Sequence, residues 1–131
     1  MPLDNNQLTS LPPEIGSLIN LRYLRLSGNQ LTSLPSEIGS LTELGDIQIK
    51  NNELTSVPPE IAGFPELYVL YLDGNSIVGD ITTSLLPHVG ENIALQLSDG
   101  VGVGNGCLTV TDSGLRTWLN SADPAWNEEC V

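Results

Sequence analysis

The chain is short of positive charge. Its 131 residues carry four lysines and arginines (Arg22, Arg25, Lys50 and Arg116) against sixteen acidic residues, for a formal charge of −12. A field of that sign repels nucleic acid and anionic membrane surfaces, and favours solubility or a basic partner. Histidine occurs once, at His88, and cysteine twice, at Cys107 and Cys130. A zinc site wants more ligands than these three supply, and a Cys-His nucleophile pair here would have nothing to orient it. No apolar run approaches the ~18 residues a membrane-spanning helix needs. No signal-peptide pattern opens the chain, and no Asn-x-Ser/Thr acceptor occurs in it.

What the chain has is repetition. Asn6-Gln-Leu-Thr-Ser-Leu-Pro-Pro-Glu-Ile-Gly recurs almost unchanged from Asn29 and again from Asn52, at a step of 23 residues that Asn75 keeps. A period in the twenties predicts a stacked solenoid, which offers a surface more readily than a pocket. Leu24-Arg25-Leu26, Ile47-Gln48-Ile49 and Leu70-Tyr71-Leu72 alternate apolar and polar, the signature of a short strand with one face buried. One strand per repeat, always entering from the same side, makes a parallel sheet. Asn29, Asn52 and Asn75 follow each strand where the chain turns inward, and their amides can satisfy backbone groups the turn leaves unpaired. Pro12-Pro13, Pro35 and Pro58-Pro59 disfavour long helices on the opposite wall and predict brief 3₁₀ turns, with Ile15, Ile38 and Ile61 inward and Glu14, Glu37 and Glu60 outward.

Aligned on the asparagines, three segments read Leu21-x-x-Leu24-x-Leu26-x-x-Asn29-x-Leu31, Leu44-x-x-Ile47-x-Ile49-x-x-Asn52-x-Leu54 and Leu67-x-x-Leu70-x-Leu72-x-x-Asn75-x-Ile77. This resembles the leucine-rich repeat family over roughly residues 1 to 100. The continuation Leu-Pro-x-Glu-Ile-Gly-x-Leu is similar to the 23-residue subtype of bacterial and Ras-group intracellular proteins. The resemblance implies an α/β repeat solenoid: a horseshoe segment with a parallel concave sheet, a 3₁₀ or irregular convex side and a C-terminal helical cap. Residues 1–106 would be the repeats (one partial, three regular, one irregular) and residues 107–131 the cap. Met1-Pro2-Leu3 enters in mid-repeat, as a piece of a longer chain would. It predicts an exposed edge at Leu3, open to fraying or self-association.

After Asn75 the copy degrades. The next strand, Ile93-Ala94-Leu95-Gln96-Leu97, stands 25 residues on from its predecessor, and Gly100 takes the asparagine position. Asp99–Gly106 is rich in glycine but fits no phosphate-loop pattern, and reads as a turn. Thr111 or Asp112 can cap a helix whose apolar face is Leu115, Trp118 and Leu119, ending at Asp123-Pro124. This tail, with Trp126 beyond it, resembles the C-terminal caps of secreted bacterial leucine-rich repeat proteins. The cysteines that bracket it then read as a Cys107–Cys130 disulfide pinning the cap, against the alternative of a reactive or metal-binding pair. Closing that loop would stabilise by about 3 kcal/mol, and would place the protein in an oxidising compartment.

In proteins of this family the partner usually lies on the concave face. The positions that reach it here are Tyr23, Arg25 and Ser27; Asp46, Gln48 and Lys50; Val69, Tyr71 and Asp73; and Ala94, Gln96 and Ser98. Tyrosine and arginine are enriched in binding hot spots. The reading is a non-catalytic module of a secreted or cell-surface protein, binding a protein or peptide, with no cofactor, no metal, no nucleic acid and no membrane insertion. The alternatives are a cytoplasmic scaffold of the Ras-group type, or the recognition part of a larger enzyme such as a receptor kinase. No kinase loop occurs in these residues.

Overall fold

The computed structural model describes residues 1–80, 86–88, 93–96, 108–109 and 112–122. Each repeat contributes three residues of strand: β1 Tyr23–Arg25, β2 Asp46–Gln48, β3 Val69–Tyr71 and, past the irregular step, β5 Ala94–Gln96. They form one parallel sheet in the order β1-β2-β3-β5. Register follows the repeat: Leu24 lies beside Ile47, Ile47 beside Leu70, and Leu70 beside Leu95. The 25-residue step of the last pairing appears as Val69 opposite Ala94. The backbone ladder outlasts the strands, with Leu26 N–H donating to Gln48 at 2.8 Å and Asn51 N–H to Asp73 at 3.0 Å.

On the far wall the prolines do what their fixed φ and missing N–H dictate. Pro13–Ser17, Ser36–Ser40 and Pro59–Gly63 are 3₁₀ turns, each preceded by a proline and each burying one isoleucine. A fourth, shorter turn spans Leu86–His88. His88 is buried beneath it, its Nε2 2.7 Å from the Ile61 carbonyl, where a ring N–H donates to an oxygen of the preceding turn. The single histidine is thus a packed core residue.

Between the walls lies one core of stacked equivalents: Leu24, Ile47 and Leu70; Leu26, Ile49 and Leu72; Ile38 and Ile61; Leu41 and Phe64. The first copy of the last series, Leu18, is 45% exposed and its neighbour Ile19 is 61% exposed, since no described segment covers that end of the stack. At the same end Pro2 makes a single parallel bridge to Arg25, and Leu3 N–H donates to the Arg25 carbonyl at 2.8 Å. The segment predicted as a strand at Leu3 is therefore a partial one.

The C-terminal helix, α1, runs Ser113–Ala122. Asp112 is its N-cap: its Oδ1 accepts the Leu115 N–H at 2.8 Å, one of the donors a helix start leaves open. Leu115 and Leu119 are fully buried and Trp118 packs against the core, so the predicted apolar face is the buried one. The repeat pattern gave no warning of a second small sheet, in which β4 Gly79–Asp80 pairs in parallel with β6 Leu108–Thr109. The glycine-rich turn, Cys107, Cys130, Asp123-Pro124 and Trp126 lie outside the described residues.

Candidate functional site

The asparagine ladder sets the geometry of the open face. Asn52 accepts the Leu31 N–H at 3.0 Å, and gives its own N–H groups to the carbonyls of Leu26 at 2.9 Å and Lys50 at 3.1 Å. Asn75 repeats this one level on, with Leu54, Ile49 and Leu72. Asn29 does the same with Leu8, Leu3 and Leu26. Each amide therefore ties its own strand to the coil before it. Just ahead of each asparagine is a residue with left-handed backbone: Asn5, Gly28, Asn51 and Gly74, at φ of 56°, 72°, 53° and 75°. Asparagine and glycine are the residues that tolerate that region. They alternate because the Asn5 side chain occupies the space a Cβ on Gly28 would need, and Asn51 does the same over Gly74.

With the strands fixed, the concave positions separate into two groups. In the first, charge is paired across repeats. Arg25 Nη2 meets Asp46 Oδ2 at 3.2 Å, and Gln48 Nε2 donates to the other Asp46 oxygen at 2.9 Å. Lys50 Nζ lies 3.7 Å from Asp73 Oδ2 and 5.4 Å from the centre of the Tyr71 ring, a cation–π distance. Asp46 and Asp73 are buried beneath these partners. Ser27 is also engaged: its N–H donates to Asp4 Oδ1 at 2.7 Å and its hydroxyl accepts the Lys50 N–H at 3.1 Å. In the second group, Tyr23 is 49% exposed, Gln48, Val69 and Tyr71 are half-buried, and Ala94 is exposed. Gln96 stands beside Tyr71 in the sheet register. Ser98 lies outside the described residues.

One feature of the face escaped sequence reasoning. Tyr68, the residue before β3, is 45% exposed and folds back over Gly45 towards Tyr23. A Cβ on Gly45 would fall 2.5 Å from Tyr68 Cε1, so the glycine is what admits the ring. Tyr68 is held above the ordinary tyrosine value of 10.0. Loss of hydration contributes most; Tyr23 and the Asp46 carboxylate push the same way, while Arg25 opposes them. The available signal was the odd glycine: position 45 is Arg22 in the repeat before and Tyr68 in the repeat after.

Among the described residues no group of three histidine, cysteine or acidic side chains is placed to hold a metal. No helix there is long and apolar enough to cross a membrane.

A parallel sheet with one strand per coil, 3₁₀ turns behind it and an asparagine at each inward turn defines a leucine-rich repeat solenoid. The family model described as "Leucine-rich repeat region" matches residues 4–88, and the chain belongs to that family. Among solved structures, it is similar to a chain of the BIR3–SERK2 complex from Arabidopsis thaliana, at 32% identity and a TM-score of 0.62, over 82% of this chain and 54% of that one. It is also similar to the Leptospira interrogans LRR protein LIC12759, at 30% identity and a TM-score of 0.67, over 86% of this chain and 27% of that one. The chain thus spans about half the length of the first and about a quarter of the second. No curated protein matches it.

Proposed function

We propose that the chain is a non-catalytic recognition module that binds a protein or peptide on the concave face of β1, β2, β3 and β5. The observation that carries this reading is the sorting of that face. The asparagines, Ser27, Asp46 and Asp73 are engaged within the sheet, whereas Tyr23, Val69, Tyr71 and Ala94 differ from copy to copy and keep surface to offer, as does Gln48, which gives one hydrogen bond to Asp46 and stays half-buried. Varied side chains on a rigid, repeated frame are the arrangement that gives specificity without chemistry. The similarity to a chain of a two-protein complex supports the same reading. Hydrogen exchange on the chain with a bound protein partner tests it: protection should fall on β1–β3 and leave the 3₁₀ turns unchanged. Protection confined to the turns would refute it.

Secretion or display at the cell surface belongs to the same proposal, with Cys107 and Cys130 joined as a clamp on the cap. An intact mass measured without reductant should be two hydrogens below that of the reduced chain. Two free thiols in protein from an oxidising compartment would count against the location and the clamp together.

A further inference from the structure

At the rim of the sheet, where the strands begin, the two exposed tyrosines wall a groove of 670 Å³. Its lining also includes Gly45, Arg22, Glu43, Pro65 and Glu66. Volumes of this order suit a side chain or small ligand rather than solvent alone. We propose that this groove receives a basic side chain, arginine or lysine, of the protein partner. The inference rests on the recognition reading above and extends it to a site beside the concave face.

Three observations lead to this chemistry. First, two aromatic side chains line it: Tyr23 and Tyr68 are both half-exposed, and the faces of such rings attract cations. Second, the local charge is unbalanced. Arg22 Nε is held by Glu43 Oε2 at 3.2 Å, while Glu66 carries no ion pair among the described residues. The groove therefore has two carboxylates to one guanidinium, while the neighbouring Asp46 is balanced by Arg25 at 3.2 Å. Third, the three cations around this face are already engaged. Arg22, Arg25 and Lys50 each face a carboxylate one repeat on, in a chain whose formal charge is −12. Charge complementarity thus selects a basic occupant over an acidic or neutral one. Its stem would lie along the rings, with its charge towards Glu66.

Capped pentapeptides Gly-Gly-X-Gly-Gly, with X arginine, lysine, glutamine or glutamate, test this on the whole chain by amide NMR at low salt. The arginine and lysine peptides should move the resonances of Gly45, Glu66 and Tyr68, and bind about fivefold or more tightly than the glutamine peptide. E66Q should weaken the arginine peptide about threefold or more, Y68A should abolish the shifts, and Y68F, which keeps the ring, should retain them. Circular dichroism of each variant confirms that it folds. The proposal is overturned if the glutamine peptide binds as well as the arginine peptide, if no peptide binds, if the shifts centre on Tyr71, or if a neutral oligosaccharide such as maltotriose takes the groove instead. A protein partner separates the two readings. If Y71A and Q48A weaken it and E66Q does not, the groove proposal alone fails; if none of the three does, recognition by the concave face fails with it.

Discussion

Asp46 holds Arg25 at 3.2 Å across one repeat step, and so ties up a cation that the sequence leaves looking free. The arginine side chain is 47% exposed and its partner 7%, so the pair sits between the surface and buried regimes. Exposed pairs are worth little because water screens them and both side chains lose freedom. A double-mutant cycle of R25A and D46A should give a coupling of about 0.5–1 kcal/mol, shrinking as salt is raised. Coupling indistinguishable from zero at low salt would mean that Arg25 is available to a partner.

The asparagine ladder makes a sharper prediction. Asn52 is buried and serves a buried N–H and a buried carbonyl, whereas Asn6 is exposed and donates only to Leu3 and Asp4. Leaving buried partners unsatisfied is what makes such a loss costly. N52A should lower the unfolding free energy by about 3 kcal/mol in urea titration, and N6A by less than ~1 kcal/mol. Equal losses would show that the ladder is not what joins the coils.

Gly74 and Asn51 should behave as a coupled pair. G74A puts a Cβ into left-handed backbone at φ 75° and against the Asn51 side chain, and should cost about 1–2 kcal/mol. N51G clears that space at a residue whose own φ of 53° suits glycine. The double variant should therefore be more stable than the sum of the single effects predicts, by an amount urea unfolding can resolve. Simple additivity would mean that the two residues do not share the space.

Tyr68 links the rim of the face to pH. Its folded-state value lies above 10.0, so the folded chain holds that proton more tightly than the unfolded one does. The resulting stability is fully present below pH ~10 and is lost as pH rises through the raised folded value. Thermal unfolding of the parent and Y68F from pH 8 to 12 should diverge only in that alkaline window, with the parent declining more steeply. Parallel curves would show that the phenol is not held protonated by the fold.

The repeat made most of the fold legible, for a physical reason. A solenoid reuses one set of contacts, so every copy of Leu-x-x-Leu-x-Leu-x-x-Asn reports the same strand, the same turn and the same core positions. The C-terminal helix was legible because Asp112, Leu115 and Leu119 carry a capping signal and one apolar face. The two-residue strands β4 and β6 were not, because each is too short to show periodicity. On the face itself the period showed which side chains leave the sheet but hid which of them are already engaged. Arg25 reaches Asp46 at an offset of 21 residues and Lys50 reaches Asp73 at 23, so reading each repeat by itself leaves both cations looking free. The placement of Tyr68 over Gly45 required seeing a missing side chain as space for its neighbour.

On the proposed reading, specificity resides where the copies differ on the concave face. A binder selected on the intact chain from a displayed random-peptide library, its affinity measured against four variants, Y71A, Q48A, E37Q and E60Q, decides this. Y71A and Q48A should each weaken binding about tenfold, or ~1.4 kcal/mol, while the two convex-wall substitutions leave it unchanged. Binding that survives both concave substitutions and is lost on E37Q or E60Q would contradict it.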